Sequence, residues 1–191
     1  ILPAFFEAYP KVIVDLSLSD EVVDLYLDRT DVAIRVGKLA DSNLMARKIG
    51  ETRRCIVASP AYLARHGTPA TPDDLMKHNC LGFNFRRAMP VWPMREGGRI
   101  VERMLSGSLL VNNGDTLRRM AIAGVGIIRL ADYHLRGPIE RGELVELLLD
   151  SDIGVVDEIH ALFRGGQFLP ARVRAFLDFC VPRMQTYLTA G

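Results

Sequence analysis

Residues 109–130, LLVNNGDTLRRMAIAGVGIIRL, constrain this chain more than any other stretch, because strand, helix-start, helix and helix-stop signals follow one another without a gap. Leu109–Val111 is a short apolar run. Asn112 or Asn113 then serves as a helix N-cap, since an asparagine side-chain oxygen accepts from an amide of the first turn that has no partner within the helix. Asp115 stands where the helix dipole favours a carboxylate. Leu117, Met120, Ala121 and Gly124 recur at helical spacing and give one buried face. Gly124 fits the left-handed residue just beyond a helix, and Val125–Ile128 resumes an extended apolar path. The stretch therefore predicts a β-α-β unit. In open α/β sheets, ligands bind where the helix leaves the strand, against amides at the helix N-terminus.

The flanking sequence repeats the device. Val12, Val14, Leu16 and Leu18 alternate with Ile13, Asp15 and Ser17, which predicts a strand. Asp20 would cap a helix through Val22, Val23, Tyr26 and Leu27, and Asp31–Val36 would form a second strand, parallel to the first and ended by Gly37. Two extended segments, Leu44–Ile49 and Arg54–Ala58, are expected to join at Gly50, Glu51 and Thr52. Ser59-Pro60 opens a helix that stops at Gly67, and Thr71 and Asp74 are spaced as a capping box. Cys80–Phe85 reads as a strand, and 92–105 as a hairpin about Gly97 and Gly98. Helical signal at 138–141 stops at Gly142, a strand is expected over Leu144–Leu149, and Glu158–Phe163 alternates as another. Leu2, Phe5, Phe6 and Tyr9 predict an amphipathic first helix. Pro170 opens the last, with Val173, Phe176, Leu177, Cys180 and Val181 on its buried stripe and Pro182 expected to end or kink it.

The extended segments at 44–58 and 158–163 act as two crossings that divide the chain into two α/β lobes, residues 1–52 plus 158–191 and residues 53–157. Two such lobes suit a small molecule held by hinge closure.

Several classes of function are disfavoured. A formal net charge of +1 provides no broad attraction for nucleic acid or anionic membrane. No apolar run is long enough to span a bilayer, and the N-terminal residues lack the basic leader of a secretory signal. Cys55, Cys80 and Cys180 are odd in number and lie in apolar contexts, which points to buried thiols in a reducing cytoplasm rather than disulfides or a metal site. His66, His78, His134 and His160 share no metal-ligand spacing, and His160 lies in an alternating strand as a core or cleft residue. No nucleophile elbow, phosphate loop or dinucleotide fingerprint occurs, so neither catalysis nor a cofactor is expected. Arg53-Arg54, Arg86-Arg87 and Arg118-Arg119 are doublets rather than a basic stripe, whereas Arg35 ends a strand where a ligand or a surface ion pair would engage it.

ILPAFFEAYPKVIVDLSLSD, DVAIRVG, LMARKIGETRRCIVASPAYLARHGTPATPDDLMKHNCLGF, VNNGDTLRRMAIAGVGI and GELVELL, taken in this order, resemble the effector-binding domain of LysR-type transcriptional regulators. The resemblance covers nearly the whole chain. It implies two Rossmann-like lobes joined by two crossing strands, the type II periplasmic-binding-protein architecture, with a small organic effector between them. It also implies a homodimer or homotetramer, and promoter DNA bound only through a winged helix-turn-helix domain that, like the family's first strand, lies before Ile1. The positions matching the family's effector contacts are Arg35, Val36, Gly37, Glu51, Thr52, Phe85, Asn112, Asn113 and Ile127. Arg129 stands where many family members carry an apolar residue. Helix N-termini together with Arg35 favour an anionic effector, a carboxylate. The competing readings are a solute receptor of the periplasmic-binding type, which shares the two-lobed architecture, and a two-lobed enzyme.

Overall fold

A computed structural model describes residues 1–19, 25, 30–37, 39, 43–84, 90–151, 156–165 and 169–189. The elements, in chain order, are α1 (Leu2–Ala8), β1 (Val32–Val36), β2 (Leu44–Ala58), α2 (Pro60–His66), a 3₁₀ helix (Pro72–Lys77), β3 (Gly82–Phe83), β4 (Val91–Glu96), β5 (Arg99–Met104), β6 (Leu110–Val111), α3 (Gly114–Ile122), β7 (Ile128–Ala131), α4 (Arg136–Glu140), β8 (Val145–Glu146), β9 (Val156–Arg164) and α5 (Ala171–Thr189). The chain forms two compact units, one of residues 1–18, 22–52 and 157–191, the other of residues 19–21 and 53–156.

In the first unit the strand order is β1-β9-β2. β1 runs antiparallel to β9, with Arg35 opposite His160 and Val36 opposite Ile159. α1 is short, and tertiary packing rather than length stabilises it. Phe5 is fully buried and meets Phe176 and Phe179 of α5 edge-on, each at 5.5 Å between ring centroids. α5 is fastened to β2 by Arg47–Asp178 at 2.9 Å and by Gln185, which donates to the Lys48 carbonyl at 3.2 Å.

The second unit is built on the C-terminal half of β2, which pairs antiparallel with β7 and with β8. Side chains alternate across this strand. Ile56 and Ala58 join a core with Tyr62, Leu75, Trp92, Met94 and Ile127, while Cys55 and Val57 join one with Leu117, Ala121, Ile128 and Leu130. β4 and β5 form the expected hairpin, with Glu96 opposite Arg99 and both Gly97 and Gly98 at positive φ. Ser59 caps α2 by accepting from the Tyr62 amide at 3.2 Å, and Gly67 ends it at φ 82. The Asp74 carboxylate accepts from the Thr71 amide and hydroxyl at 3.0 and 2.9 Å. Those bonds hold its pKa down at about 2.

The central stretch folds as its signals dictate. Asn113 is the cap, accepting from the Thr116 amide at 3.0 Å. α3 ends in a Schellman motif, with the Gly124 amide on Ala121 and the Val125 amide on Met120, each at 3.0 Å, and Gly124 at φ 75. β6 pairs in parallel with β3, and Cys80 bridges in parallel to Ile127, so the 79–83 segment lies between the two strands of the β-α-β unit.

Several expectations are corrected. Val12–Leu18 forms no strand: Ile13, Leu16 and Leu18 are largely exposed and no ladder engages them, because alternation creates a strand only where a neighbour supplies hydrogen bonds. The ladder observed for β1 is an antiparallel one with β9 in place of a parallel one with that segment. The helix expected near 20–27 falls largely outside the described residues. Gly50 does not break β2, which runs unbroken from Leu44 to Ala58. The strand expected over 80–85 is reduced to Gly82–Phe83 and that over 144–149 to Val145–Glu146. Of the two outcomes expected at Pro182, an end to α5 does not occur: the helix runs on to Thr189, with Val173, Leu177, Cys180 and Val181 buried before the proline and Thr186 donating to the Pro182 carbonyl at 3.1 Å beyond it.

Candidate functional site

In the first unit the expected contact residues collect at the end of β1. Arg35 and Val36 are half-buried, and Gly37 follows at φ 101 with its amide on the Glu158 carbonyl at 2.9 Å. Opposite residues of an antiparallel pair share a sheet face, so Arg35 and His160 lie side by side. His160 is only 9 % exposed, and its Nε2 lies 3.9 Å from a Glu158 oxygen. Lys48 of β2 joins that strand to β9 electrostatically, with Nζ 2.7 Å from both Glu158 of β9 and Glu51 of its own strand. The Glu158 bond, ahead of the Glu51 bond, raises the Lys48 pKa, and Lys48 lowers that of Glu158. Glu51 is exposed, while Thr52, the next residue, is buried. Arg35, Val36 and Gly37 at the end of β1, and Glu51 and Thr52 in the middle of β2, thus stand within one unit, in which the Lys48–Glu158 pair ties β2 to β9.

In the second unit Asn112 and Asn113 occupy the turn between β6 and α3. Asn112 is exposed, and Asn113 is committed to the cap. The first amides of a helix have no intrahelical acceptor and point out along the axis. Asp115, inside this first turn, is engaged by Arg119 at 2.7 Å and by Arg118, and the Arg119 bond chiefly lowers its carboxyl pKa. Its negative charge is thereby offset where an incoming anion would approach. Ile127 is fully buried in the core of the second unit. Phe85 lies outside the described residues.

Sequence reasoning passed over Lys48 and Glu158. They lie 110 residues apart, so no local spacing reveals the pair. His160 was weighed only as core or cleft, and the register with Arg35 locates it. Arg53 and Arg119 behave as surface residues in ion pairs, Arg53 holding Glu146 at 2.7 Å, whereas Arg129 is buried within β7 at 9 % exposure. No cluster of histidine, cysteine and carboxylate among the described residues has metal-binding geometry. No helix among them is long and apolar enough to cross a membrane. Cys55, Cys80 and Cys180 are buried free thiols, and burial pushes Cys55 and Cys80 up to about 12, where the thiolate is negligible at neutral pH.

The family model for the LysR substrate binding domain matches residues 1–185. The HTH-type transcriptional regulator CrgA of Neisseria meningitidis is 32 % identical over 180 residues, 94 % of this chain and 60 % of that protein. The solved CrgA regulatory domain, a LysR-type transcriptional regulator from the same organism, superposes with TM-score 0.86 at 31 % identity, covering 96 % of this chain and 89 % of that one. Full-length AphB, the Vibrio cholerae virulence activator, gives TM-score 0.78 at 31 % identity over 96 % of this chain and 62 % of its own. The fold of these regulatory domains is the type II periplasmic-binding-like α/β fold, as the sequence led us to expect. The chain spans about 60 % of the length of CrgA.

Proposed function

Because the chain belongs to the LysR substrate-binding domain family, we propose that it is the effector-sensing part of a LysR-type transcriptional regulator, binding a small organic anion and altering how an attached winged helix-turn-helix domain holds promoter DNA. The family match over residues 1–185 carries this reading. The two compact units are its two lobes. Arg35, Val36, Gly37, Glu51 and Thr52 are the proposed effector contacts of the first lobe, and Phe85, Asn112, Asn113 and Ile127 those of the second. A carboxylate is the favoured effector group: the amides opening α3 present partial positive charge, Arg119 and Arg118 offset Asp115, and Arg35 can hold an anion through two parallel N–H groups. Binding rather than turnover is the role, in a cytoplasmic homodimer or homotetramer, with no cofactor required.

A melting series with a panel of organic acids tests the proposal. Saturation at about one hundred times Kd adds roughly 2.7 kcal/mol. For a chain of this size that raises Tm by on the order of 5–10 °C. Arg35→Met should abolish the rise for the acid that gives it, read against the variant's own unliganded Tm. A neutral compound that stabilises where every acid fails would overturn the charge argument. If no small molecule shifts Tm, and none changes promoter retention by the protein carrying its DNA-binding domain, the sensing role itself fails.

A further inference from the structure

Tyr62, on α2, is 2 % exposed in the core of the second unit, and its hydroxyl lies at a junction of three elements. The Asn79 amide donates to this oxygen at 2.9 Å, and His78 Nδ1 lies 3.2 Å away. A phenol has one proton to give. With the Asn79 amide on one lone pair of the oxygen, the phenolic proton can be given to Nδ1 when His78 carries its own proton on Nε2.

Asn79 transmits this bond. Its carbonyl accepts from the Ile127 amide at 2.9 Å, and its side-chain amide donates to the Val125 carbonyl at 2.8 Å and to the Ser108 hydroxyl at 2.9 Å. From the other side Arg65 of α2 donates to the Gly124 carbonyl at 2.7 Å. The segment leaving α3, residues 124–127, is therefore held to α2 and to the 79–81 segment by a short set of polar contacts.

We propose that Tyr62 and His78 form an acid-released latch, in which Tyr62 donates to Nδ1 of a neutral His78 protonated on Nε2 and so tightens α2 against the 79–81 segment, and through it the 124–127 segment. Protonation places an N–H on Nδ1 opposite the phenolic proton and removes the acceptor that orients the hydroxyl.

The surrounding charges favour the neutral imidazole. On α2, His66 stacks on the Tyr62 ring at 4.5 Å between centroids, and Arg65 lies one residue earlier. The 3₁₀ helix contributes Asp74 and Lys77, already paired to each other at 3.2 Å. Cys80, two residues along, is a neutral buried thiol. Burial, first, then His66 and Lys77 lower the His78 pKa below its usual 6.5, with Asp74 opposing. The unfolded chain therefore takes up this proton more readily than the native one. The stabilisation is complete above about pH 6.5 and is lost as pH falls from there toward the lower native value.

Thermal melting of Tyr62→Phe, His78→Asn and the unaltered protein tests the latch. The phenylalanine variant should melt about 3 °C lower at about pH 8, and the gap should narrow as pH falls below about 6.5, leaving only the share due to the Asn79 bond. His78→Asn places a carbonyl oxygen near the position of Nδ1 and cannot titrate there. It should keep the gap to its own Tyr62→Phe double variant constant across the same range. A Tyr62→Phe gap that does not change with pH, or a double-variant gap that narrows as the parent's does, would overturn the proposal. Nitrogen-15 spectra of the histidines decide the tautomer without any variant: protonation of His78 at Nε2 near neutral pH supports the latch, and protonation at Nδ1 eliminates it.

Discussion

Residues 109–131 and residues 11–19 carry equally regular apolar patterns, yet only the first becomes regular structure. In the central stretch every signal is answered nearby. Asn113 accepts from Thr116 three residues on, Gly124 closes the helix on Ala121, and Leu117 and Ala121 are buried in one core cluster. In the N-terminal stretch the alternation from Val12 to Leu18 meets no ladder, and Ile13 is 94 % exposed. A helix carries most of its hydrogen bonds within itself, while a strand borrows all of them from a neighbour. Periodicity therefore suffices to locate α3 and does not suffice for a strand.

The contrast is tested most severely in the central core. Leu117 is 1 % exposed among Cys55, Val57, Ile128 and Leu130, so Leu117→Ala removes buried apolar volume and leaves a cavity. The expected cost is about 3 kcal/mol, read as a fall in urea midpoint at unchanged m-value. Gly126→Ala should follow. A Cβ there would lie 2.3 Å from the Asn79 carbonyl oxygen, which is backbone and cannot swing aside. A loss of about 2 kcal/mol is expected from the forced shift. Tm should fall by roughly 4–8 °C. If Gly126→Ala proves silent, the approach of the 79–81 segment to the central unit is looser than the parallel bridge at Cys80 and Ile127 requires.

How far the sequence could be read follows the same physical line. The caps at Ser59, Thr71 and Asn113, the glycine stops at 67, 124 and 142, and the Gly97-Gly98 hairpin were legible because each is settled within a few residues. Strand extent was not, since β2 continues through Gly50 and the Val145–Glu146 pairing is far shorter than its apolar run. Pro182 inside α5 shows packing overriding a local breaker. Among site residues, Asn113 and Gly37 were recognisable from their turns. The Lys48–Glu158 pair needed β2 to lie beside β9, and the placing of His160 beside Arg35 needed the register of β1 on β9, neither of which a single stretch encodes.

A smaller effect separates the cap from the core. Asn113→Ala removes the acceptor for the Thr116 amide and should cost about 1 kcal/mol, whereas Asn113→Asp restores a cap and should recover nearly all of it. The pair also sharpens the proposed role of this turn. Both variants leave a helix start in place, but aspartate sets a negative charge beside the amides offered to an anion. Asn113→Asp should therefore weaken an acidic effector more than its effect on Tm predicts. Equal binding by Asn113→Asp and the unaltered protein would remove Asn113 from the proposed contacts.

The weakest expected effect bears on the other side of the comparison. Ile13→Ser exchanges a nearly fully exposed side chain for a polar one, and surface changes away from caps and cores lie within about 0.5 kcal/mol. Exposed apolar area contributes nothing to folding until something covers it, so the urea midpoint should not move. Leu16 and Leu18, at 58 % and 71 % exposure, should respond in the same way. A loss above about 1 kcal/mol for Ile13→Ser would show that its side chain is covered in solution. The alternation of Val12–Leu18 would then describe a strand completed by a neighbour after all, and the difference between the two regions would lie in where the partner comes from rather than in whether one exists.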